Sequence, residues 1–148
     1  MSKIDFSTSA KRHFQDAKFV EDNNLLANAG QLYGFCAECG IKALLIALGY
    51  PTDAEGSPIN QALAGNLNIR KHINQLVAIR IQIDSYASGR SGAKYLALIP
   101  NIDSFADWSV DHRYYDQHQI PPSITAWQQA ATEMMRMMQE ASSDGVLR

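Results

Sequence analysis

The sequence predicts an all-α fold, a single helical domain over residues 1–148. Three observations carry this expectation. Apolar residues recur every three or four positions in four separate stretches, the period of one helix face. Gly and Pro punctuate the chain where those stretches begin and end. A chain of 148 residues with 46% hydrophobic content has the size of one ordinary core, burying on the order of two-thirds of its unfolded surface. No internal repeat, low-complexity tract or second domain breaks the pattern.

The first helix is expected from about Ser7 to Asn23, where Ala10, Phe14, Ala17 and Val20 form one apolar stripe and Ser7 serves as N-cap. The second runs from about Leu25 to Leu48. It becomes apolar nearly all round toward its end, as a central helix does. Gly49 and Pro51 stop it, because Gly accepts the left-handed conformation and Pro cannot continue a helix. Gly30, Gly34 and Gly40 lie inside this helix, each costing up to about 1 kcal/mol relative to Ala. Gly30 and Gly34 share a face, so close approach of a neighbouring backbone is the expected reason for them. Residues Pro51 to Asn68 read as a long loop with one helical turn around Gln61.

A third amphipathic helix is expected from Lys71 to Ala87, with Ile73, Leu76, Val77, Ile83 and Ala87 inward and Arg80 interrupting the stripe. Tyr95 to Ile99 is a short apolar run that fits a helical turn or an extended piece. Residues Asn101 to Pro122 show no clear period but hold Phe105, Trp108, His112, Arg113, Tyr114, Tyr115 and His118. The aromatic members can cover the end of a bundle or stack on bases. Pro121 and Pro122 open a last helix, in which Ile124, Trp127, Ala131, Met134 and Met138 make a core or subunit stripe.

Composition excludes several classes of function. No apolar stretch approaches the roughly 20 residues that cross a bilayer, and the first residues lack a secretory signal, so the expected compartment is the cytoplasm. A net charge of −2 argues against a uniformly basic nucleic-acid surface. The clusters Lys11, Arg12, His13, Lys18 and Arg70, Lys71, His72 read as solvated helix faces. Cys36 and Cys39 lie on one rigid element with no second Cys pair, so reduced thiols are expected and neither a metal site nor any cofactor site.

The stretches Ser9-Ala10-Lys11-Arg12-His13-Phe14-Gln15-Asp16-Ala17, Asn28-Ala29-Gly30-Gln31-Leu32 and Ala37-Glu38-Cys39-Gly40-Ile41-Lys42-Ala43-Leu44-Leu45 resemble small bacterial and archaeal HEPN-domain proteins. Asp111-His112-Arg113-Tyr114 resembles the acidic, Arg-Tyr segment before that family's last helix. Between residues 50 and 100 the likeness extends only to a helix after a loop. The resemblance implies an up-and-down bundle of four to five helices, often a homodimer and often paired with a nucleotidyltransferase in a toxin–antitoxin-like system. Some members are metal-independent ribonucleases carrying an Arg, four to six intervening residues and a His near the start of a late helix, with two copies meeting across the dimer. Others lack the pair and are non-catalytic nucleotide- or protein-binding modules.

Arg113 and His118, with four residues between them, match that spacing. In the catalytic reading His118 is the general base or acid on an RNA 2′-hydroxyl or leaving oxygen, and Arg113 stabilises the phosphate. In the structural reading Arg113 pairs with Glu38 or Asp111, and His118 is an exposed loop residue. Tyr114 stands where the nuclease motif commonly has a polar residue, and Pro121-Pro122 place His118 before the helix. Glu38 has two possible partners, Lys42 one turn on or, if buried, Arg113.

Overall fold

The computed structural model describes residues 2–59 and 67–148, and the helical turn expected around Gln61 lies outside them. The described residues are helical, with no strand and one isolated bridge between Thr52 and Pro58. The first helix, α1, spans Phe6–Asp22. Its N-cap is Asp5 rather than the expected Ser7: the Asp5 carboxylate accepts from the Thr8 backbone N–H at 3.0 Å and the Thr8 hydroxyl at 2.7 Å. A carboxylate outcompetes a hydroxyl there because its charge also meets the positive helix end. Asn24, with φ of +61°, turns the chain back.

The central helix, α2, covers Leu26–Ala47 and buries residues on every side from Ala29 to Leu45. It packs against both α1 and α6, the last helix, Ile124–Ser143, which follows Ser123. Gly49, with φ of +110°, ends α2 where the sequence places the stop. The glycine face of α2 receives indole rings, not another backbone. Trp108 seats directly on Gly34, a Cβ at Gly30 would lie 2.8 Å from the ring of Trp127, and Met134 covers Gly40. The Trp108 indole N–H then donates to the Gly30 carbonyl at 2.9 Å. A flat ring fills the groove that a missing side chain opens and adds a buried hydrogen bond, which a second backbone would not.

The expected third helix is broken. α3 spans Ile73–Ala78 and α4 spans Arg80–Ser88, with Ile79 at φ −109°, ψ 26° between them. A continuous helix would aim Arg80 along the apolar stripe. The break lets its guanidinium reach Asp103 at 3.1 Å and Asp84 at 3.7 Å. The apolar run from Tyr95 resolves as a one-turn helix, α5, Ala93–Leu96, with Tyr95, Leu96 and Ile99 buried. Buried side chains from all six helices join one apolar cluster. Among the described residues no helix is long and apolar enough to cross a membrane.

Candidate functional site

Residues 101–123 hold both Arg113 and His118, and three short 3-10 turns organise them: Ile102–Asp107, Val110–Tyr114 and Gln117–Gln119. Such turns show no long period, since each is too short to repeat one. Side-chain caps set the last two. The Ser109 hydroxyl accepts from the Asp111 N–H at 3.1 Å, and the Asp116 carboxylate accepts from the His118 N–H at 2.8 Å. Phe105 and Trp108 are fully buried, so these two aromatics belong to the core. Gln31 on α2 donates to the Ser109 carbonyl at 2.8 Å and ties the segment down a second time.

Past Trp108 the segment divides into inward and outward groups. His112 is 6% exposed, its ring stacked on Trp127 at 6.0 Å and tilted to Tyr115 at 5.2 Å. Burial lowers the His112 pKa, against the opposing pull of Asp107 and Asp111, so the ring is neutral near pH 7. Tyr114 and Tyr115 are 74% and 50% exposed. Arg113 and His118 face solvent as well. The Arg113 guanidinium lies 4.8 Å from the Tyr114 ring centroid and makes no ion pair among the described residues. His118 lines an open cleft with Asn24, Leu26, Gln117, Pro121 and Ile124, whereas Arg113 is outside that lining. The structure thus sets the two residues on successive turns of one exposed segment, ahead of α6 as the proline pair implies.

The pairing of Arg113 with Glu38 does not form. Both Glu38 oxygens are occupied within the fold, one by the Lys42 ammonium at 3.0 Å and the other by His72 Nδ1 at 2.9 Å. Glu38 and Lys42 are 9% and 7% exposed. An acceptor-only carboxylate on Nδ1 requires that nitrogen to carry a proton. His72 is held in place by its position just before α3, where its backbone N–H donates to Gln75 Oε1 at 3.0 Å. An open cleft of about 420 Å³ lies over this cluster, lined by Phe6, Lys42, Ser57, Arg70, Lys71 and His72 among others.

Sequence reasoning treats Arg70, Lys71 and His72 as a solvated face and so misses this grouping. One signal was available. Glu38 and Lys42 are the charged pair of a helix that is otherwise apolar all round, and buried charges require further partners. Cys36 and Cys39 are free and buried. Burial raises both thiols, Cys39 to about 12, with Glu38 adding to the shift, so both are protonated and poorly nucleophilic near pH 7. The chain matches no protein-family model, no curated protein and no solved structure.

Proposed function

We propose that the chain is a HEPN-like module that acts on RNA, cleaving it without a metal through Arg113 and His118, as a homodimer that brings two such pairs together. One observation supports this above others. Within residues 101–123 the structural chemistry, Trp108 and His112, is buried, while Arg113 and His118 alone combine a phosphate-binding cation and a titratable base on adjacent exposed turns. In this reading His118 takes the proton of an RNA 2′-hydroxyl, the oxygen attacks the neighbouring phosphorus, and the bond to the 5′-oxygen breaks. That oxygen leaves with a proton from an imidazolium, giving a cyclic phosphate and a 5′-hydroxyl. Arg113 holds the non-bridging oxygens through two parallel hydrogen bonds. The internal nucleophile makes a metal unnecessary.

The apolar residues around the His118 cleft are consistent with a subunit seam there: Leu25 and Leu26 are 55% and 47% exposed. The same reading places the protein in the cytoplasm in a toxin–antitoxin-like system, with a nucleotidyltransferase as candidate partner. The separation of Arg113 from the cleft that His118 lines favours a second reading, a non-catalytic nucleotide- or protein-binding dimeric module. Cleavage of a mixed RNA pool in the presence of chelator separates the two. Wild type is expected to cut, and His118→Ala and Arg113→Ala, each checked for folding and for dimer mass by light scattering, are expected to lose about 100-fold or more. Equal activity in all three proteins, or none in wild type, rejects the nuclease.

A further inference from the structure

The cleft above Glu38 lies on other elements than the Arg113–His118 segment and plays no part in the reading just given. Its floor is formed by buried Lys42 and half-exposed His72, both held by buried Glu38 beneath them, at 3.0 and 2.9 Å. Its wall adds Arg70 and Lys71 from the run leading into α3, and neither side chain has an acidic partner among the described residues. Three cations therefore face one carboxylate. Lys42, Arg70 and Lys71 set against Glu38 leave a surplus of two positive charges at the cleft, on a protein whose net charge is −2.

Local surplus charge of one sign in a concave, partly desolvated setting attracts a counter-charge, and the whole-molecule charge makes this one stand out. The donor geometry narrows the counter-charge. The Lys42 ammonium has three N–H donors and gives one to Glu38, so others remain for a ligand at the cleft floor. Arg70 offers a planar fork, Lys71 a mobile point charge and Ser57 a hydroxyl. A tetrahedral oxyanion accepts from several directions at once. A phosphate monoester, with a charge of about −2 near pH 7, matches the surplus as well as the donor count. Phe6 and Pro58 on the same cleft supply an apolar flank, with Lys42 Nζ 5.6 Å from the Phe6 ring centroid.

We infer that this cleft is a phosphate-binding site, with Lys42, Arg70 and Lys71 on the phosphate, Glu38 and His72 fixing Lys42 beneath it, and Phe6 and Pro58 against the organic part of the ligand. The phosphate is that of a free nucleotide or of an RNA strand. Glu38 and His72 are positioning residues; the cations make the contact. The inference stands whether or not Arg113 and His118 cleave RNA, because it uses none of their features.

The test is titration calorimetry on the full chain at low salt, with adenosine 5′-monophosphate, adenosine, inorganic phosphate and a short unstructured RNA as separate probes. Two surface variants are compared. Arg70→Ala/Lys71→Ala removes the wall cations, and Arg136→Ala/Arg148→Ala removes the same charge at positions that do not line the cleft. The expected result is binding of the monophosphate but not of adenosine, weakened at least about tenfold in the first variant and little changed in the second. Binding of RNA alone, with the same dependence on Arg70 and Lys71, supports the site and assigns its phosphate to the RNA backbone. No binding of any phosphate probe, equal loss in both variants, or adenosine binding as well as its monophosphate overturns the inference.

Discussion

Glu38 is held between two neighbours, Lys42 on its own helix and His72 just before α3, and the balance among them can be measured. Glu38→Ala leaves the Lys42 ammonium buried without its counter-charge, which is expected to destabilise the fold by about 3–5 kcal/mol. Glu38→Met/Lys42→Met removes the pair together and is expected to recover most of that loss, so a urea-denaturation cycle should show strong non-additivity. Simple addition of two single losses would mean that the pair is not coupled. His112 gives the second residue-level expectation. Its folded pKa lies below the ordinary value of 6.5 because it is buried. The unfolded chain then binds the proton more readily, so this contribution is complete above about pH 6.5 and is lost as pH falls from there through the folded pKa. Stability measured from pH 7.5 down to 5 is expected to fall in wild type and to fall less steeply in His112→Phe, which keeps the stacking on Trp127. Identical slopes would remove His112 as a cause. Neither site was fully legible beforehand: the sequence places Glu38 four residues from Lys42, but only folding brings up His72, 34 residues away.

At the scale of elements, the contact between α2 and the 3-10 segment is the one most exposed to a single atom. Gly34→Ala improves helix propensity by up to about 1 kcal/mol, yet its Cβ would overlap the Trp108 indole. The net expectation is destabilisation of about 1–3 kcal/mol, read as a lower midpoint in thermal unfolding, together with a shift in Trp fluorescence as the ring is pushed out. A stabilised Gly34→Ala protein would show that the ring can move aside freely. The long helices α1, α2 and α6 were readable because their stripes run for several turns and Gly49 marks a stop. The break at Ile79 was half readable: Arg80 interrupts the stripe, but its remedy depends on Asp103 on a distant turn. The 3-10 turns were not readable, being held by Ser109, Asp116 and Gln31 rather than by a repeating pattern.

Across the whole molecule, α2 is shared by both candidate regions: Gly30, Gln31 and Gly34 seat the 3-10 segment, and Lys42, held by Glu38, lines the cationic cleft. The all-α architecture follows from local spacing, whereas the cleft arises from residues 6, 42, 57 and 70–72 that only the packing of α1, α2 and α3 assembles. Trp108 gives this arrangement its sharpest division. Phe105 and Trp108 are locked into the core, while the side chains from Arg113 to Gln119 face outward. Tyr115, which packs against His112, is the exception; other substitutions in that outer stretch carry little thermodynamic cost, because their side chains face solvent. The Arg113–His118 edge can therefore be rewritten at little cost to the fold, while change in the frame beneath it is paid in stability.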